Sequence, residues 1–257
     1  MAHITSVGGT AYEISGGKTL IGGTEYNIEG GKTCVGNTMY DVSFGGRVID
    51  GEIKDSWRSI ASGKYLWAYS IGNWKPITLS NGETIIMEIV AMGADEKEDG
   101  STANITWISR GIVTTHVMNS QSNSAKVWAD SDLRTWLQGD FYDNYLPSNV
   151  KSAITKVNKT YYNILNSATR TVVDNVWIPS YREIIGGTTA ERSGTTYTSY
   201  FNNANSRIKY DSNGTPQMWW LRSIYSTSAH YRYVSESGTT GNALVSAKIG
   251  VVLGFCT

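Results

Sequence analysis

At 257 residues the chain is long enough for one large core, or for one core with a small appended domain. Its 22 basic and 22 acidic residues cancel, which excludes holding nucleic acid or an anionic membrane by electrostatics alone. Charged residues make up 17% of the chain, against roughly a quarter in typical domains, and Ser, Thr, Asn and Gly stand in their place beside 16 Tyr and 9 Trp. That composition suits extracellular β-rich proteins and sugar-binding surfaces.

The N-terminal stretch MAHITSVGGTAYEI lacks a basic region followed by an apolar core, so it does not read as a secretory signal. No apolar run reaches the length of a membrane span. Cys34 and Cys256 could form one long-range bridge, but two buried thiols are the expectation.

Residues 8–44 carry a 14-residue repeat: GGTAYEISGGKTLI, then GGTEYNIEGGKTCV, then the partial copy GNTMYDVSF. Tyr12, Tyr26 and Tyr40 fall in register, and so do Gly8, Gly22 and Gly36. Each unit predicts two short strands, such as 24–28 and 32–35, set apart by Gly-Gly turn signals. Short hairpins cannot bury a core alone. Residues 1–46 are therefore expected to form an all-β stalk that packs against copies in other subunits; an ordinary β-meander packed on the main domain is the alternative. Such glycine-rich hairpin repeats resemble those at the start of phage tail and virion proteins, and this resemblance implies attachment and a homotrimer.

The main domain is expected over 47–257. A short amphipathic helix is predicted over 56–62, then an extended segment holding Trp67 and Trp74. The Asn81-Gly82 turn predicts a hairpin between 75–79 and 84–92. The acidic loop 94–100 lacks the ligand pattern of a calcium loop and reads as a solvated turn, leading into a strand over 104–109. Asp130 or Ser131 can cap a helix with Leu133, Trp136 and Leu137 inward and Gly139 as its stop. Pro147 and Ser148 open another short helix to about residue 154. A strand over 172–178 precedes the capping box of Ser180 and Glu183. Residues 186–215 read as a long irregular loop.

The stretch from Met218 to Cys256 carries the functional expectation. Residues 223–237 hold five Ser, three Tyr, one Thr, one His and one Arg among fifteen, a mixture close to that of antibody contact loops. Of the adjacent Trp219 and Trp220, alternation lets only one face outward, so at least one is expected in the core. Arg222 is expected to brace the frame through backbone carbonyls. Tyr225, Tyr231 and Tyr233 are the leading contact residues, the last two sharing one strand face. Ser223, Ile224, Ser226, Ser228, His230 and Ser235 complete the first contact segment; Asn242, Leu244 and Lys248 lie in the second, within 241–244 and 247–249. No enzyme, metal or cofactor site is expected. His3, His116 and His230 are isolated, and neither a G-x-S-x-G elbow nor a P-loop occurs.

Six short elements in fixed order resemble a domain of uncharacterised function common in gut bacteria and their phages: SWRSI, DLRTWL, LPSNVKSAI, WIPSYREI, WWLRS and the terminal GVVLGFC. The resemblance covers about residues 50–257. It implies an α+β, C-type-lectin-like domain, similar to the variable proteins of diversity-generating retroelements, with a variable segment at about 219–256. Ile224 stands where that family usually continues with Pro. By this resemblance the chain is expected to be a phage tail or virion receptor-binding protein, released by lysis, that binds a bacterial surface protein or glycan. A structural virion component (decoration or baseplate) and a carbohydrate-binding module are the alternatives.

Overall fold

The computed structural model describes the chain apart from residues 1–2, 8–9, 15–17, 22–23, 28–30, 36–37, 43–46, 122–125, 188–193 and 226–228; before residue 47 it describes backbone alone. The chain divides into two units, Met1–Ile49 and Asp50–Thr257.

The first unit is built of three hairpins: β1 (His3–Val7) with β2 (Thr10–Ile14), β3 (Lys18–Ile21) with β4 (Thr24–Asn27), and β5 (Gly31–Val35) with β6 (Thr38–Val42), followed by the two-residue β7 (Val48–Ile49). Pairing is out of phase with the repeat as read from sequence. The strands expected over 24–28 and 32–35 form as β4 and β5, but they pair with β3 and β6 rather than with each other, Ile21 lying opposite Thr24. The repeat shows in the register: Tyr12, Tyr26 and Tyr40 lie opposite Thr5, Thr19 and Thr33.

The second unit is mixed α+β. One sheet runs β21 (Gly254–Cys256), β11 (Ile105–Ser109), β10 (Thr84–Met92), β9 (Trp74–Thr78) and β8 (Glu52–Ile53). A second has the order β12 (Thr114–His116), β20 (Ile249–Val251), β17 (Trp219–Ile224), β18 (His230–Val234) and β19 (Thr240–Leu244). Two further ribbons pair β13 (Val157–Asn163) with β14 (Ala168–Asp174), and β15 (Lys209–Tyr210) with β16 (Pro216–Gln217). The C-terminus is stitched in, with Asn104 and Ile105 amides donating to the Thr257 carbonyl and Trp107 Nε1 to Thr257 Oγ1.

Helix α1 (Trp57–Ala61) starts where Ser56 Oγ accepts from the Ser59 amide and turns Trp57 and Ile60 inward. There Trp57 meets Trp107 and Phe255 at ring-centroid distances of 5.1 and 5.6 Å. The Asn81-Gly82 hairpin forms as expected, with Thr78 opposite Thr84. Ser131, not Asp130, caps α2 (Asp132–Trp136). Gly139 does not stop that helix: the chain continues as a nine-residue π-helical stretch, Leu137–Tyr145, that buries Leu137 and Phe141. Trp67 lies in a single 3-10 turn, Leu66–Ala68, rather than in an extended segment. Helix α3 (Ser148–Lys151) follows Pro147.

Strand β14 begins at Ala168 and ends at Asp174, so 172–178 is only partly strand; Trp177 beyond it bridges to Gly254. A Cβ on Gly254 would sit 2.6 Å from the Trp177 ring, which explains the residue. The 186–215 segment is not featureless. It buries Tyr197 and Phe201 and includes α5 (Ala204–Arg207), which follows α4 (Tyr181–Ile185) in the chain. Cys256 is a buried thiol as expected; the Cys34 side chain lies outside the described residues.

Candidate functional site

The central sheet strand β17 is buried at all six positions, so both Trp219 and Trp220 are core. Their indole N–H groups donate to the carbonyls of Arg207 and His116. Arg222 braces the frame as expected, donating from Nε to the Thr160 carbonyl and from Nη1 to that of Ile178. It also forms a two-pronged ion pair with Glu183, at 2.6 and 2.8 Å. This pair is the centre of a buried network that the sequence did not suggest.

Glu183 enters it because the capping box holds α4 by its N-terminus: the Glu183 amide donates to Ser180 Oγ and the Ser180 amide to Glu183 Oε2. Lys159, on β13, bridges Glu183 at 3.2 Å and Asp95 at 2.5 Å, with Nζ 3.4 Å from the Trp177 ring centroid. Tyr197 Oη donates to Asp95 and accepts from Lys159 Nζ at 2.8 Å. Thr106 Oγ1 and the Cys256 thiol also donate to Asp95 Oδ2. Asp95 is 1% exposed, so the expectation of a solvated turn over 94–100 is corrected at this residue. Two cations and two carboxylates cancel within a dry volume, where an unpaired charge is costly.

The electrostatics favour the charged forms of Glu183 and Lys159. Burial pushes the Glu183 carboxyl up, but Arg222 and Lys159, with the hydrogen bonds from Arg222 and the Ser180 amide, hold it at about 2. Burial opposes the Lys159 charge, and Asp95 and Glu183 outweigh it and raise its pKa. Burial and Asp95 drive the Cys256 thiol well above its ordinary value, away from the thiolate that nucleophilic chemistry needs. A polar cleft of about 330 Å³ beside this network is lined by Glu96, Asn158, Thr160, Thr171, Glu183, Gly194 and Thr195.

On this frame the expected contact residues separate into three groups. Ser223, Ile224 and Tyr231 are 1%, 3% and 0% exposed, so the structure removes them from any contact surface. The reason is topological: a register shift between Trp220 and Ile224 sets Ile224 opposite Tyr231 on the covered face of the sheet. Ser223 Oγ instead accepts the Tyr181 amide at 2.8 Å. Tyr231 Oη donates to the Lys126 carbonyl. Tyr233 shares the Tyr231 side of the strand and lies over Gly241, whose place a Cβ would fill at 2.5 Å from the ring. The shared face of Tyr231 and Tyr233 is thus real, but it is not an exposed tyrosine cluster.

A second group comes together on the opposite face. Register places His230 opposite Leu244 and Arg232 opposite Asn242, all four on one side of the β18–β19 ribbon. Leu244 is 49% exposed and Asn242 is exposed beside it. Tyr225, 47% exposed, follows β17 and is fixed there by its amide, which donates to the His230 carbonyl at 3.0 Å. The Arg232 guanidinium lies over two rings, 4.3 Å from the Tyr181 centroid and 4.9 Å from that of Tyr225. Tyr181 and Arg232 were not among the expected contact residues; an arginine amid serines and tyrosines was the available signal.

The third group lies apart. Ser235 closes the β18–β19 turn through Ser237 and Thr239, and Lys248 is exposed between β19 and β20. Ser226 and Ser228 lie outside the described residues. Among the described residues no cluster of three His, Cys, Asp or Glu could hold a metal.

A mixed α+β domain with a buried ionic frame and one aromatic, arginine-bearing outer face is thus defined. The chain belongs to the family described as "Domain of unknown function (DUF6273)", whose model matches residues 93–256. No curated protein and no solved structure matches it. Five of the six sequence elements fall inside the matched residues, and SWRSI lies before them. Their roles are physical: DLRTWL supplies Arg134 to the buried Asp174, WIPSYREI supplies Glu183, WWLRS supplies Arg222, and the terminal segment closes against β11.

Proposed function

We propose that the second unit is a C-type-lectin-like recognition domain and that the chain is a phage tail or virion receptor-binding protein. It binds a bacterial surface ligand without covalent chemistry, through the outer face of β18 and β19. The observation that carries this reading is the exposed Asn242 and Leu244 and the half-buried Arg232 on the β18–β19 pair, beside the exposed Tyr225, with the neighbouring β17 pinned by the Arg222–Glu183 pair. Such a division leaves outer positions open to change without loss of the fold. The variable-protein reading assigns them that role. The N-terminal hairpins act as a trimeric stalk, supported by their repeat register, and trimerisation raises avidity by on the order of 10²–10⁴-fold.

The test is binding of the fluorescently labelled full chain to a panel of gut bacterial strains. Saturable binding to some strains, lost in the double variant Tyr225→Ala, Leu244→Ala with its unfolding midpoint intact, is expected. Binding to no strain, or undiminished binding by the double variant, overturns the reading. A monomeric mass by light scattering at micromolar concentration would sink the stalk.

A second reading, a structural virion component, draws support from Trp67, 69% exposed, and Ile71, 46% exposed, which together suit packing against another protein. Particles that fail to assemble when Trp67 is changed to Ser would favour it.

A further inference from the structure

The Arg232 guanidinium is half-buried and lies against two tyrosine rings. Tyr181 and Tyr225 stack on it, and among the described residues it has no carboxylate or carbonyl partner. The backbone that carries each neighbour is hydrogen-bonded in place. Tyr181 is held at the head of α4 by the Ser223 hydroxyl, and Tyr225 by the backbone bond to His230. The cation is therefore oriented before any ligand arrives, which lowers the entropy lost on binding.

A planar guanidinium with stacked faces offers a rigid fork of N–H donors at its edge, the geometry that matches a carboxylate two-pronged. Arg222 makes that same bond to Glu183 inside the domain, where the acid is supplied by the chain itself. At Arg232 no described residue supplies such an acid. Stacking alone leaves those donors to water, and Arg with Tyr is the pairing that dominates the energetic centres of protein interfaces.

We infer that Arg232 is the anion-recognition point of the outer face and takes a carboxylate side chain of a protein ligand. The inference rests on the recognition reading above and names the chemistry of its partner. Leu244 decides between protein and acidic sugar. It lies on the same face, diagonal to Arg232 across the β18–β19 pair, and is half exposed, as is Tyr225. An Asp or Glu flanked by an apolar side chain matches both features, whereas a uronic acid offers hydroxyls where Leu244 requires apolar contact. Asn242, directly opposite Arg232, can donate to the second carboxylate oxygen.

The experiment titrates the full chain with acetyl-Leu-Glu-Leu-amide, its Gln counterpart and tri-galacturonate, reading the arginine Nε–Hε resonances by NMR in the wild type and isothermal titration calorimetry in the wild type and every variant. The Glu peptide is expected to shift the Arg232 resonance saturably, with the Gln peptide at least tenfold weaker. Arg232→Lys should weaken the Glu peptide at least fivefold, because a point charge replaces the fork, and Arg232→Leu should abolish its binding. Equal binding of the two peptides, binding of neither, or binding retained by Arg232→Leu overturns the anion site. Tighter binding of tri-galacturonate than of the Glu peptide overturns the protein ligand. Cell binding that survives Arg232→Leu but not the Tyr225, Leu244 double variant removes this inference and leaves the receptor-binding reading standing.

Discussion

Arg222 and Glu183 meet in a buried two-pronged ion pair at 2.6 and 2.8 Å, joining the central strand of one sheet to the capping box of α4. Residues 39 apart in sequence thus hold strand β17 and the Tyr181 helix in one frame. Glu183→Gln removes one charge of a neutral set and leaves Lys159 and Arg222 with Asp95 alone. We expect a loss of about 3–5 kcal/mol, the cost of breaking a buried pair from one side, measured by urea unfolding.

The same carboxyl contributes to the acid limit. Its folded pKa, about 2, lies below the ordinary 4.5, so the unfolded chain binds the proton more readily. The contribution is complete above pH 4.5 and drains away as pH falls towards 2. Unfolding midpoints of the wild type should therefore decline across this window, and those of Glu183→Gln should decline less. Parallel decline would show that other carboxyls govern acid unfolding.

Lys209 predicts the opposite end of the scale. It is 2% exposed and donates to the Ser109 carbonyl at 2.8 Å. Burial lowers its pKa from 10.5 to about 8, with Glu88 opposing. Between those values the unfolded chain holds the proton and the folded one has released it, so folding gains stability as pH rises. Relative to Lys209→Met, the wild type should become more stable from pH 8 to 10.5. A constant difference would mean that the ammonium stays charged in the fold.

Tyr225 and Tyr231 separate contact from core. Tyr231→Ala is expected to cost about 3–5 kcal/mol, as for other buried aromatic truncations. Tyr225→Ala should change stability by no more than about 0.5 kcal/mol, and any effect on ligand binding should come from Tyr225 alone. Equal destabilisation by both would contradict the assignment of faces.

Gly238 ties the β18–β19 turn to α5. Its φ is +76°, and a Cβ there would lie 1.9 Å from the Ala204 carbonyl oxygen. Left-handed strain of about 1–2 kcal/mol and overpacking of about 1–3 kcal/mol make Gly238→Ala a loss of about 2–5 kcal/mol. Thermal unfolding checks it; a change below the lower bound would show that the turn yields.

What the sequence determined by itself is local. Ser56 and Ser131 cap their helices, Ser180 and Glu183 close a capping box, and Asn81-Gly82 turns a hairpin, because each depends on groups within a few residues. The bracing role of Arg222 was legible too, since a cation inside an apolar strand must find carbonyls. Tertiary structure decided the rest. Asp95 is buried because Lys159, Tyr197 and Cys256 reach it from 64, 102 and 161 residues away, and no local pattern encodes those meetings. Alternation failed to sort the contact residues because β17 is covered on both faces and its register shift sends Ile224 and Tyr231 inward. Which tyrosine meets solvent depends on what packs behind the strand, and only the assembled sheet supplies that.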